Sequence, residues 1–226
     1  MLEKKIRELE FRPSVLGDQV ANIIAQAIMD NELEGGQKLI EAEIQKQFGI
    51  SRSPIREAFR TLEKKGLVDI IPRRGTFVRK VTADDIRKTY PIRAVLEGLA
   101  ARQAHARIGS EDLSRMEAAL SSMEECFNKN DMQNYWKQHL VFHEIFIHAS
   151  GNDVLVDILS NIRMSTHRFT FSRQYYQYHF RENMDVHREI FSLFADRGSD
   201  PSRLEGLVKS HIEESSEKFI GYLEQE

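Results

Sequence analysis

His139 and His143 stand four residues apart in a stretch of helical periodicity, which turns both imidazoles to one face at a distance that one metal ion can bridge. Phe142 and Phe146 lie near the same face, so the pair points inward. His187 precedes Ile190, Phe191 and Phe194 on a second apolar stripe, and His211 follows Leu204, Leu207 and Val208 on a third. Four histidines thus fall on the inward faces of three helices. An interior imidazole needs a partner, and a divalent cation can satisfy a cluster of them, although each histidine alone reads more readily as a hydrogen-bonded core residue than as a ligand. His105, His148, His167 and His179 share no such pattern and read as structural or surface residues.

A second set of residues suits a different chemistry. Ile55, Ala58, Phe59 and Leu62 recur at the spacing of a helix packed on a core, which turns Arg52, Ser53, Arg56 and Arg60 outward. Guanidinium groups on the first turns of an exposed helix can reach phosphates and the guanine edge in a major groove. Charge agrees with this. From Arg52 to Lys80 nine Lys/Arg face three acids in a chain whose net charge is −3, so the basicity is local. Residues 81–226 carry −6 and offer no second surface of that kind.

The elements that must hold these arginines can be read nearby. Ser51 is an N-cap candidate, and Pro54 falls in the first turn, where its missing N–H is tolerated. Leu39, Ile40, Ile44 and Phe48 form the stripe of a preceding helix that Gly49 can end. Two short helices joined by a Gly-containing turn make a helix-turn-helix. Residues 67–71 and 76–81 are β-rich and flank Pro72-Arg73-Arg74-Gly75, which reads as a hairpin with a basic tip. Val20, Ile23, Ile24, Ala27 and Ile28 mark a further helix ending near residue 31.

The organisation expected is a polar leader at 1–12, a winged helix-turn-helix at 13–80 and an all-helical unit at 81–226, joined without a long linker. The fold class is mainly α. Thr82 and Asp85 form a capping-box pattern, and Pro91 predicts a kink or a restart capped by Thr89. Later helices are expected at 111–129, 131–149, 153–178, 182–197 and 201–223. The aromatic run Phe169, Phe171, Tyr175, Tyr176, Tyr178 and Phe180 suits core, interface or cavity lining. No apolar run approaches the ~20 residues of a membrane span, no signal peptide is visible, and the single Cys126 excludes an intrachain disulfide, which together suggest a cytoplasmic protein.

The run SRSPIREA from Ser51, the Leu-Glu-x-x-Gly-Leu segment and the Arg-Gly wing tip closely resemble the GntR family of bacterial transcription regulators. By position, the resemblance implies DNA contacts from Arg52, Ser53 and Arg56, with Arg74 and Gly75, beside Arg73, at the wing. Ala42 stands where some members place an arginine. LVFHEIFIHASGNDVL from Leu140, DVHREIF from Asp185 and KSHIEE from Lys209 resemble the all-α FCD effector domain, in which an Asp-x-x-x-His pair and two later histidines hold a metal below a ligand cavity. The resemblance implies His139, His143, His187 and His211 as ligands of a divalent metal, whether zinc, nickel or manganese, with His139 in place of the usual aspartate. Arg93 matches the family's Arg-x-x-Leu-Glu segment, where a guanidinium beside a metal can hold the carboxylate of a small organic acid.

The expected function is a homodimeric repressor that binds a pseudo-palindromic double-stranded operator and responds to such an effector, with no membrane partner. Two other readings remain open at this point. One is a metal-dependent enzyme using the histidines, with Glu144 or Glu97 as base; the other is a regulator that senses metal alone.

Overall fold

The computed structural model describes residues 13–30, 32–166 and 173–225. Two compact units meet between Val81 and Thr82.

In the first unit, α1 (Pro13–Met29) buries Leu16, Val20, Ile24 and Ile28 and packs on α3 (Arg52–Lys64). Between them lie β1 (Lys38–Leu39) and α2 (Glu41–Phe48). The expected α2 stripe is corrected here. Lys38 and Leu39 pair with Phe77 and Thr76, so Leu39 reaches the core from a strand, and Ile40 is an exposed N-cap. Gly49 ends α2 in the left-handed conformation (φ 65°) and returns its N–H to the Gln45 carbonyl at 2.9 Å.

Ser51 has the extended backbone of an N-cap, yet its hydroxyl accepts no capping hydrogen bond. Pro54 accounts for part of this, because it occupies the third helical position, whose N–H a cap would ordinarily take. Pro54, Ile55, Ala58, Phe59 and Leu62 are all buried, as the periodicity requires. Strands β2 (Val68–Ile71) and β3 (Gly75–Val78) form an antiparallel hairpin, and the sheet order is β1-β3-β2. At its tip Arg73 has φ 63° and Gly75 φ 112°, and the Arg74 N–H bonds the Ile71 carbonyl at 3.0 Å.

The second unit is all-helical: α4 (Ala83–His105), α5 (Ser110–Asn128), α6 (Met132–Ala149), α7 (Asp153–Thr166), α8 (Arg173–Ala195) and α9 (Pro201–Leu223). Thr82 and Asp85 complete the capping box that opens α4. Pro91 does not divide this helix. Thr89 does not cap a restart; its hydroxyl donates to the Asp85 carbonyl one turn back at 2.7 Å.

α4 runs against α9 so closely that a Cβ on Gly98 would sit 2.9 Å from the Glu205 carbonyl oxygen. Of the expected helix over 153–178, α7 covers the part through Thr166, and residues 167–172 lie outside the described residues. α8 correspondingly begins at Arg173 instead of 182. Phe169 and Phe171, with the side chains of Tyr175, Tyr176 and Tyr178, lie outside the described residues, as do residues 1–12. Phe180 stacks on Phe127, its ring centroid 3.4 Å away. Among the described residues, no helix is long and apolar enough to cross a membrane.

Candidate functional site

In the first unit Arg52, Ser53, Arg56 and Arg60 are exposed on α3, and Arg73, Arg74 and Gly75 are exposed at the hairpin tip. Both sets sit on elements fixed from behind by buried apolar side chains. One partner was not legible in the spacing. Glu41, the first residue of α2, accepts from Arg56 Nε at 3.0 and 3.2 Å, so the guanidinium is held by the neighbouring helix. Ser53 donates to Glu57 at 3.4 Å.

In the second unit the structure brings His139 and His143 on α6, His187 on α8 and His211 on α9 into one buried cluster. One ligand atom from each lies within 4.8 Å of every other. Burial pushes all four imidazoles toward the neutral form: His187 to about 3, His139 and His211 well below the usual value, and His143 also down despite the opposing pull of Glu97. Neutral imidazole is the form that binds metal.

The tautomers follow from the outer contacts. His143 Nδ1 lies 2.7 Å from Glu97 Oε2, and His187 Nδ1 lies 2.6 Å from the Asn183 carbonyl oxygen. Oxygens of these kinds accept, so each Nδ1 carries the proton and each Nε2 presents a lone pair. Those two Nε2 atoms are 3.1 Å apart. Two lone pairs at that distance repel unless a cation lies between them, and nitrogens bound at about 2.1 Å to one ion are separated by about 3 to 4 Å. His139 Nδ1 is buried with no hydrogen-bond partner. The donor set therefore fits a metal ion, with all four ligands imidazole.

Arg93 is buried and its Nε meets Glu97 Oε1 at 2.5 Å, while its guanidinium lies 5.0 Å from the Tyr90 ring centroid. Arg163, on α7, is also buried, with Nε 3.9 Å from the same oxygen and Nη2 donating to the Leu140 carbonyl at 3.4 Å. Burial alone would raise the Glu97 carboxyl, but Arg93, His143 and Arg163 hold it well below the usual range. Glu97 lies four residues after Arg93 on the same helix, so this pair is local in the sequence. Nothing around Arg163 in the sequence marks it out.

Residues 88–214 match the FCD domain, and residues 16–78 match the bacterial regulatory proteins of the gntR family. The chain belongs to the GntR family. It is similar to the HTH-type transcriptional regulator YdhC of Bacillus subtilis, 29% identical over 209 residues that make up 92% of each protein. It is also similar to the HTH-type transcriptional repressor RspR of Escherichia coli, 25% identical over 89% of this chain and 88% of that one. A GntR-type regulator from Rhodococcus sp. RHA1 superposes with a TM-score of 0.77 at 25% identity, covering 91% of this chain and 97% of the other. This GntR protein is accordingly a DNA-binding transcriptional regulator with a winged helix-turn-helix and a helical FCD domain, and the enzyme reading is set aside.

Proposed function

We propose that this regulator is a cytoplasmic repressor controlled by a small carboxylate bound at a metal centre in its FCD domain. The ring nitrogens of His143 and His187 facing each other at 3.1 Å carry the reading, because they need a metal ion or a shared proton between them and burial opposes protonation of both rings. His139, His143, His187 and His211 would hold a divalent ion, and an all-imidazole shell favours zinc or nickel over manganese. When bound, the ion supplies a Lewis-acidic coordination position for a carboxylate oxygen. Arg93 stands beside the cluster, where its charge is felt by His139 and His211, and would fix the other end of that carboxylate.

Operator contacts are assigned to Arg52, Ser53 and Arg56 in the major groove and to Arg73, Arg74 and Gly75 at the wing. Ala42 offers no base contact of its own, so the operator is read chiefly from α3 and the tip. A second observation supports a homodimer. Ile92 and Val95 on α4 and Val154 and Ile158 on α7 are 53%, 54%, 69% and 44% exposed, and α4 packs on α7 within this unit. A second copy would cover these apolar side chains and place two recognition helices on a pseudo-palindromic operator. Repression agrees with the role that the RspR name carries for that relative.

Elemental analysis of the purified protein tests the metal, with about one divalent ion per chain expected and none in a His143→Ala/His187→Ala variant. Titrating operator affinity with metal alone and then with carboxylates tests control. A response complete with metal alone would make this a pure metal sensor, since effector and operator affinities must change each other by the same factor.

A further inference from the structure

We propose that Glu41 is a positioning residue that makes Arg56 a reader of bases and disfavours its use on phosphate. This rests on the assignment of Arg56 to the major groove and adds the residue that decides how it acts there.

Arg56 Nε donates to Glu41 Oε1 at 3.0 Å and to Oε2 at 3.2 Å, so a single N–H is shared between both carboxylate oxygens. The contact is made by Nε, which leaves the two terminal nitrogens as the parallel donors that match O6 and N7 of guanine. Among the described residues, Arg52 and Arg60, which share the outward side of α3, have no acidic partner. The acids of α3 itself are engaged elsewhere. Glu57 accepts from the Ser53 hydroxyl at 3.4 Å, and Glu63 accepts from the Ile70 N–H of the hairpin at 3.2 Å. Arg56 is thus held from α2, across the turn of the helix-turn-helix.

Stability does not account for the pair. Its side chains are 60% and 32% exposed, and exposed ion pairs add little to folding. Its effect falls on the surface it occupies. A tethered guanidinium has already given up much of its side-chain freedom, so less is lost when it docks on a base. It is also one half of a neutral pair. Attraction to phosphate follows net charge and is the same on every sequence, whereas hydrogen bonds to base edges depend on geometry. Glu41 therefore weakens the sequence-independent part of binding and preserves the sequence-dependent part, which is discrimination against wrong sites.

The test is fluorescence anisotropy on the full-length protein across a range of salt. The probes are a duplex that the protein enriches from a random pool, the same duplex substituted at each position, and a shuffled duplex of equal length. Glu41→Ala should tighten binding to the shuffled duplex and steepen the slope of log K against log salt by about 0.9, the value of one added phosphate contact. It should also lower base preference by about three- to tenfold, part of the roughly 5- to 150-fold that one bidentate arginine supplies. That loss should fall at the base pair whose preference Arg56→Ala erases, and should vanish when both substitutions are combined. Glu43→Ala removes the same charge from an exposed position two residues along α2 and should leave that preference intact. Unchanged base preference in Glu41→Ala, or a loss matched by Glu43→Ala, overturns the positioning role while Arg56 stays a DNA contact. An Arg56→Ala protein altered in neither preference nor affinity overturns both.

Discussion

Glu97 and His143 are joined by a 2.7 Å contact between fully buried side chains, although they lie 46 residues apart on different helices. The contact sets the tautomer of the histidine and aims its Nε2 into the cluster. It also places a carboxylate behind an imidazole, an arrangement that strengthens the imidazole as a metal ligand.

Replacing Glu97 with glutamine should lower metal affinity by about 10- to 100-fold, read by competition with a chromophoric chelator. It should also lower stability by about 3 to 5 kcal/mol, because Arg93 and Arg163 then lack their buried counter-ion. Unchanged metal affinity would show that the carboxylate does not tune His143.

Acid should destabilise the metal-free protein. The unfolded chain takes up protons on these histidines near pH 6.5, while the native imidazoles resist protonation, His187 down to about 3. Stability is therefore full above about pH 6.5 and falls continuously as the pH drops toward 3. Glu97, whose native carboxyl is held down, adds to the loss below about pH 4.5. Urea denaturation at pH 7.5, 6 and 5 measures this, and a flat profile contradicts burial of neutral imidazoles.

On DNA, Arg52→Ala and Arg56→Ala should each cost about 1 to 3 kcal/mol and relax sequence preference. Glu41→Ala should weaken discrimination less than Arg56→Ala, since it frees the guanidinium without removing it. Fluorescence anisotropy with the operator and with point-substituted duplexes separates these outcomes. Equal losses on all duplexes would assign both arginines to phosphate contacts only.

Placing charge on the apolar face, as in Ile92→Asp/Val95→Asp, should convert a dimer to a monomer in sedimentation velocity and weaken operator binding by at least about tenfold. A dimer that persists would place the interface elsewhere.

Much of this was written in short-range pattern. The α3 stripe, the Gly49 stop, the hairpin and the Thr82 capping box depend on neighbours within a few residues, and each is legible for that reason. The histidine cluster was legible because three separate amphipathic faces each carried an imidazole inward. Arg163 was not, since its partner Glu97 lies on another helix and no local spacing connects them. Leu39 and Ile40 misled because an apolar pair ahead of a helix fits a helical stripe as well as the edge strand that β3 recruits.

Gly98 follows Glu97 on α4 and meets the backbone of α9, which carries His211. Any larger residue there must wedge the two helices apart, so the distance between the ligands of α6 and α9 is set partly by a position with no functional group. In a genetic selection for regulators deaf to their signal, substitutions at Gly98 should therefore appear alongside those of the histidines themselves.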